Sequence, residues 1–492
     1  DPDVSVLLLE AGPRDRGLLM AMPAAVYRVY QEPSLNWNYE SEPEARMKQR
    51  RIPVPRGKVL GGSSSINAMV YLRGNPRDYD NWAASFDLPN WSYAHCLPYF
   101  RKSEDSDRGE SLYHGVGGEL GVQQGVLDSP IFDAFLMAAG EVDHPGTDDR
   151  NGPKSEGIGR RDTARRNGRR CSASVALLHP VAGRGNLHIV TGVLVAGLIT
   201  QGKRVRGVRL SSPEALDVHA DREVILSAGS INTPQLLMLS GIGPEDELTR
   251  HGIDIVHRAE GVGRNLQDHL NVGLKFTCKR SLSIAWLDNP LAKAYVGAQW
   301  LLTKTGPVTS NIWELGGVFR SDPHTDYPNF QYHVGPVMMN ARPDGGFSLA
   351  DGLAIHIAQL RQQSRGRIRL RSTDPKAAPL INFDFFATPR DRAEFRGALR
   401  VTREIADQPS MRAIGALELL PGGAITSDDD VDDFIATYTN TEFHPSCTCR
   451  MGGDDDSVVD AELKVRDVEG LRVVDASVMP AVPSCNLNAP TI

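Results

Sequence analysis

Two adjacent glycines, Gly61 and Gly62, run into Ser63, Ser64 and Ser65 within RGKVLGGSSSINAMVYLRG, residues 56–74. Residues without a Cβ let backbone approach a ligand, and the N–H groups of a following turn or helix can face an anion. Arg56 and Lys58 bring positive charge and the serines bring hydroxyl donors, so this stretch suits a dinucleotide pyrophosphate. A second chemical group stands at Glu10, where the apolar run VSVLLLEAG of residues 4–12 ends in an acid. In dinucleotide folds such an acid binds a ribose hydroxyl and follows a GxGxxG turn by about 20 residues. That turn and the strand before it are absent, so the chain reads as starting at the second strand of such a fold. With an apolar segment beginning at NLNAPTI, it reads as a fragment of a longer protein. A third group, His444 with Cys447 and Cys449, spells H-x-x-C-x-C. Zinc sites need four closed ligands from paired motifs, and no second pair stands elsewhere, so packed small residues and no metal are expected.

These groups need elements to hold them. Apolar runs at 4–12, 223–229 (EVILSAG) and 471–476 (LRVVDA) share one grammar, a β-rich run closed by a small or acidic residue, and ligands in open α/β sheets sit at such strand ends. After the second run, TPQLLMLSGIG at 233–243 predicts a helix capped by Thr233, with Pro234 in its first turn and Gly241 stopping it. Residues 329–338, 353–360, 366–372 and 380–385 predict strands of an antiparallel sheet, with RIRLR at 367–371 alternating between one apolar and one charged face. Ser427 before DDDVDDFIATY predicts a capped helix start, which accounts for the aspartates without a metal. Six arginines in RRDTARRNGRR, residues 160–170, read as a solvated loop without the aromatic interleaving of nucleic-acid binders. At 492 residues two domains are expected. A net charge of -7 argues against nucleic acid, and six cysteines are too few for a disulfide scaffold, which fits a reducing, cytoplasmic setting. No run approaches a membrane span, while peripheral contact with an inner membrane stays open. The fold class is α/β, α+β taken overall: a Rossmann-like nucleotide domain assembled from separated segments, and a second domain with an antiparallel sheet.

Six blocks in order carry a family resemblance: residues 57–74 (GKVLGGSSSINAMVYLRG), 229–243 (GSINTPQLLMLSGIG), 261–269 (GVGRNLQDH), 444–452 (HPSCTCRMG), 474–480 (VDASVMP) and 486–491 (NLNAPT). Together they resemble the glucose-methanol-choline (GMC) flavoprotein oxidoreductases, and AHCLPYFRK at 94–102 is similar to the choline dehydrogenases and related alcohol dehydrogenases among them. The resemblance implies FAD. Residues 1–75, 186–272 and 445–492 would form the FAD-binding domain, and 76–185 with 273–444 the substrate domain. Glu10 would bind the adenosine ribose and Val195 would lie against the adenine. Gly61, Gly62, Ser63 and Asn67 would line the pyrophosphate and flavin, Asp475 and Ala476 the ribityl and phosphate region, and Asn488 with Thr491 would close over the isoalloxazine. Some relatives attach FAD through a histidine just before the asparagine of the first block. Ile66 stands there and cannot form that bond, so the flavin is expected to be non-covalent.

The implied chemistry is oxidation of a primary alcohol to an aldehyde, with a hydride passing to flavin N5. A histidine neutral near pH 7 can take the hydroxyl proton. The resemblance places His444 in that role, with Asn486 hydrogen-bonding the developing alkoxide. Choline leads as substrate, because a fixed cation calls for a carboxylate or aromatic faces. Trp313 and Glu314 resemble the glutamate segment of choline-oxidising relatives, and Phe443 stands where many of them have tyrosine. Cys485, where relatives usually have glycine, is expected to narrow the cavity beside the flavin. The alternatives are a GMC dehydrogenase or oxidase for neutral aliphatic or aromatic alcohols, a flavin-binding protein without redox turnover, and an inactive fragment. The electron acceptor, a quinone of the respiratory chain or oxygen, is left open.

Overall fold

In the computed structural model, which describes residues 2–211, 216–342 and 347–492, the alternating pattern LNVGLKF becomes the strand Leu270–Phe276, with every second side chain buried. The strands beyond it are buried along nearly their whole length, polar residues included. Leu353–Gln359 and Phe330–Gly335 are buried on both faces and form the centre of a seven-stranded sheet. Across that sheet the order is Glu418–Leu420, Leu270–Phe276, Leu353–Gln359, Phe330–Gly335, Leu315–Phe319 and Gly157–Arg160, with Asn440–Thr441 paired to the start of Leu270–Phe276. All neighbours run antiparallel. Phe319 stacks on Tyr332 at 4.0 Å, and Phe395 of the helix Pro389–Ala406 meets Phe330 edge-on at 5.1 Å, so helix and sheet share one aromatic core. Two of the four expected strands thus lie in the large sheet. The other two, Arg367–Arg369 and Leu380–Asn382, pair with each other as a separate hairpin, with Ile368 and Ile381 turned inward.

Among the short parallel pairs that stand apart from this sheet, two involve the runs singled out in the sequence. Val6–Glu10 pairs with Leu187–Thr191, and Val224–Leu226 pairs with Leu471–Val473. The three runs that share one grammar therefore all become strands, and the partner of the first lies in a segment the sequence pattern does not single out. An antiparallel meander, Val195–Gln201, Arg204–Leu210 and Asp217–His219, follows directly from Leu187–Thr191.

The helix after Val224–Leu226 starts earlier than its capping signals suggest. It spans Gly229–Leu239, so Thr233 is not its cap and Pro234 sits inside it. Proline there has no N–H for the carbonyl of Ser230. The Thr448 hydroxyl donates to that carbonyl at 2.7 Å and replaces the missing bond. The Thr233 hydroxyl instead donates to Asp475 at 2.6 Å. Gly241, at φ +77°, does end the helix. Ser427 and Asp430 form the expected capping box, while Asp428 and Asp432 pair with Arg396.

The arginine-rich stretch 160–170 is no solvated loop. Arg161, Arg165 and Arg170 are fully buried, and Gly316 leaves the space that the Arg161 guanidinium fills, since a Cβ there would lie 1.8 Å from Nη2. All six cysteines are unpaired. Among the described residues, no helix is long and apolar enough to cross a membrane.

Candidate active site

A single cavity of 2910 Å³ runs from the strand Val6–Glu10, past the loop Gly61–Asn67 and the ends of Val224–Leu226, to the face of the antiparallel sheet. Pockets for one drug-sized molecule hold about 300–1,000 Å³. This one has room for a dinucleotide and a substrate together.

At the first end, segments meet backbone to backbone. A Cβ on Gly12 would lie 1.9 Å from the Lys58 carbonyl, and one on Gly57 would lie 2.3 Å from Gly62. Gly61 and Gly62 take left-handed φ values of +87° and +56° into a short turn, Gly62–Ser65. The serines divide their work. Ser64 and Ser65 donate their hydroxyls to the carbonyls of Gly61 and Leu60, at 2.6 and 2.8 Å, and so hold the turn itself. The Ser63 oxygen accepts from Gly57 N–H at 3.1 Å, which leaves its hydroxyl proton for the cavity it lines. Below the turn, buried Arg170 donates to the Ser64 carbonyl (3.2 Å), the Asn67 carbonyl (2.5 Å) and Asn67 Oδ1 (2.9 Å). Arg56 and Lys58 are occupied as well: Arg56 donates to the Phe443 carbonyl at 2.8 Å, and Lys58 lies over the Trp37 ring.

Glu10 reaches the cavity with one oxygen held by Gly12 N–H at 2.6 Å, and burial raises its pKa against that bond. Val195, Ala476, Asn488 and Thr491 line the same space. Asp475 lines it too, but its carboxylate accepts from Gly229 N–H (2.9 Å), Thr233 Oγ1 (2.6 Å) and Ser477 N–H (2.8 Å), which pins the first turn of the helix Gly229–Leu239. These residues fit a dinucleotide. Gly62 and Gly229 both have positive φ and line the cavity, and a Cβ on either would meet no protein atom within 4 Å. Backbone, not side chain, faces the space there.

At the other end, His444 follows the strand Asn440–Thr441 and a left-handed Phe443 (φ +66°). Asp268 fixes this turn. It accepts from His444 N–H at 2.8 Å and from the Thr441 hydroxyl. Burial pushes the Asp268 carboxyl up to about 7. The His444 ring is held at both nitrogens, Nδ1 at 3.0 Å from His269 Nδ1 and Nε2 at 3.2 Å from Asn486 Nδ2. Asn486 Oδ1 accepts from Gln331 at 3.2 Å, which turns its amide nitrogen to His444. Burial, then His269 and Arg56, holds the His444 pKa well below the usual imidazole value, so the ring is neutral near pH 7.

Trp313 and Glu314 part company. Trp313 lines the cavity and donates its indole N–H to the Tyr27 hydroxyl. Glu314 is turned into the core beside Arg165 at 3.8 Å and accepts from Leu127 N–H, away from the cavity. Consecutive residues in extended backbone face opposite sides. A carboxylate that does line the cavity at this end is Glu442. It lies 3.4 Å from His333 Nε2, and burial raises its pKa to about 7 against the attraction of Arg161. Around it, Tyr27, Tyr30, Trp313, Phe347 and Phe443 present rings to the cavity, Tyr27 lying 5.5 Å from Phe347 and Tyr30 6.1 Å from Phe443. Cys485 does not narrow this space; it packs on Val70 and Leu72, outside the cavity lining. Ile66 joins Met20, Val29 and Val59 in a small apolar cluster at the cavity wall. Cys447 and Cys449 are fully buried, and the two nitrogens of the His444 ring face His269 and Asn486. The sequence reading passes over Glu442 and gives His269 no role, although one stands two residues before His444 and the other closes the block GVGRNLQDH.

Comparison with known proteins places this site in a lineage. Sequence profiles of the GMC oxidoreductases match residues 15–271 and 362–492. The chain is 44% identical to the oxygen-dependent choline dehydrogenase of Pectobacterium atrosepticum over 501 residues, covering 100% of this chain and 89% of the relative. The enzyme of the same description from Pseudomonas fluorescens is also 44% identical, covering 100% and 88%. Among solved structures, pyridoxine 4-oxidase from Mesorbium loti superposes with a TM-score of 0.88 at 32% identity, covering 100% of this chain and 92% of that one. A formate oxidase variant of Aspergillus oryzae superposes at 0.91 and 27%, again over 100% and 92%.

Proposed function

This chain belongs to the GMC oxidoreductases, FAD-dependent enzymes, and from that premise we propose that it oxidises a primary alcohol to an aldehyde, with choline as the leading substrate. The observation that carries the reading is the His444–Asn486 pair at one end of a cavity whose other end is faced by glycine backbone. When bound, FAD supplies a hydride acceptor. Glu10 and Val195 would hold its adenosine half, Gly61, Gly62, Ser63, Asn67, Asp475 and Ala476 its phosphates and ribityl chain, and Asn488 with Thr491 its ring. Ile66, an alkyl side chain, supports a non-covalent cofactor. The two parallel strand pairs support a Rossmann-like FAD domain of residues 1–75, 186–272 and 445–492, with 76–185 and 273–444 around the substrate.

The protein's own part is proton handling and placement. Neutral His444 accepts the alcohol proton at Nε2, the nitrogen facing Asn486. The Asn486 amide N–H then donates to the oxygen left negative. Holding the oxygen between these two groups directs the α-carbon hydrogen away from them, and proximity contributes much of the rate.

For the substrate, Glu442 with Tyr27, Trp313, Phe347 and Phe443 offers a carboxylate and ring faces to a quaternary ammonium group. The same rings favour a neutral aromatic alcohol as the second reading. Peripheral membrane attachment finds support in the helix Pro290–Thr303, whose Leu291, Tyr295 and Leu302 share one face and are 80%, 70% and 85% exposed.

The test is anaerobic mixing of FAD-loaded protein with choline while the visible spectrum is recorded. Bleaching of the flavin band by choline supports the whole reading. Bleaching by benzyl alcohol alone overturns choline and keeps the chemistry, and a band that no alcohol bleaches overturns alcohol oxidation. Peroxide formed in air marks an oxidase; quinone reduction without peroxide marks a dehydrogenase.

A further inference from the structure

His444 Nδ1 and His269 Nδ1 lie 3.0 Å apart with their rings nearly perpendicular, 81° between planes. Two imidazole nitrogens at that distance share one proton, because two lone pairs or two N–H groups would repel. His269 is 1% exposed, so no bulk water competes for that proton. From the geometry we infer that His269 is the proton-sharing partner of His444, taking up part of the positive charge that forms when His444 accepts the substrate proton. This rests on the reading of His444 as the base.

The proton count closes. At rest His444 carries its proton on Nδ1 and donates it to His269 Nδ1, and the Asn486 amide faces the Nε2 lone pair. When Nε2 takes the alcohol proton, the Nδ1 proton is drawn toward His269 Nδ1, so the pair carries one added charge between them, with one proton on His444 Nε2 and one held between the two Nδ1 atoms. Burial lowers the His269 pKa to about 4, against backbone carbonyls of Leu360 and Pro483 that favour its charged form, while Asp268, next to it in sequence, accepts from the His444 backbone N–H. The other charged or titratable groups facing the pair are Arg56, which opposes the added charge, His333, and Glu442, two residues from His444. Neither ring carries a carboxylate, and a full charge on either alone is costly away from water, so sharing the proton spreads that charge over both rings.

Two variants separate sharing from packing. His269→Gln keeps a polar side chain that cannot become a cation, and His269→Phe keeps a ring with no acceptor. The first readout needs neither FAD turnover nor alcohol: nitrogen NMR of histidine-labelled protein reports the His444 tautomer. Wild type is expected to show His444 protonated on Nδ1 alone, and His269→Phe a mixture of tautomers. The second readout is the rate of flavin reduction by the alcohol against pH. His269→Gln is expected to lose about 100-fold, the lower range for general base catalysis, with the rate-controlling pKa displaced and FAD absorbance unchanged. An unchanged His444 tautomer in His269→Phe, or an unshifted pH profile in His269→Gln, overturns the inference. If no alcohol reduces the wild-type flavin, the base assignment fails, and the NMR result still decides whether the two rings share a proton.

Discussion

His444→Ala removes the group that takes the proton while leaving the glycine-faced end of the cavity intact. Flavin reduction by the alcohol is expected to fall about 10²- to 10⁴-fold with FAD still bound, as read by stopped-flow absorbance. Glu442 carries a different prediction. Burial raises its pKa to about 7, while Arg161 pulls it down, Asp268 pushes it up and His333 touches it. The carboxylate is charged above that pH and neutral below it. The KM for choline is therefore expected to rise about tenfold from pH 8 to pH 6, the KM for a neutral alcohol is not, and Glu442→Gln flattens the choline curve. Steady-state KM measured against pH for both substrates checks this. That His444 and Asn486 meet at the cavity was legible because each sits in a dense motif. Glu314 shows where that legibility stops. A motif fixes which residues come near, but one step of extended chain decides whether a side chain faces the cavity or the core, and only Trp313 faces the cavity. Glu442 carries its meaning through burial among rings from distant segments, which no local pattern encodes.

Helix boundaries teach the same lesson one level up. Ser427 reads correctly because its cap lies in the next turn, at Asp430. Thr233 and Pro234 carry equally good local signals, yet the helix begins at Gly229 because Asp475 and Thr448, more than 200 residues away, satisfy what those signals would have satisfied. Thr448→Val tests the claim. It removes the hydroxyl that serves the Ser230 carbonyl and leaves a buried acceptor unpaired, an expected loss of about 1–3 kcal/mol in urea unfolding, with little change in side-chain volume. The arginine-rich stretch fails as a sequence reading for a kindred reason. Charge in a sequence suggests solvent, but Arg161, Arg165 and Arg170 find space and acceptors inside only because Gly316, Thr309, Gln124, Asn67 and Ser64 offer them.

Across the whole molecule, the α/β class and the antiparallel sheet were legible because strand alternation is local, while the pairing of strands was not. The exposed helix Pro290–Thr303 gives the prediction at this scale. Replacing Leu291, Tyr295 and Leu302 together by serine is expected to abolish co-flotation with lipid vesicles while leaving the flavin spectrum unchanged; flotation equal to wild type would remove the membrane role. The strand pairs carry a consequence of their own. Among the described residues Val224–Leu226 pairs only with Leu471–Val473, and Asn486 and Asn488, which line the cavity beside Val224–Leu226, come later still. At about 5–20 residues per second, the emerging polypeptide holds the first of these strands outside the ribosome for roughly 10–50 s before the second exists. For that interval its apolar edge is a client for chaperones. Loading with FAD then waits on the strand Leu471–Val473, so the supply of cofactor and the pace of translation meet where that strand is made.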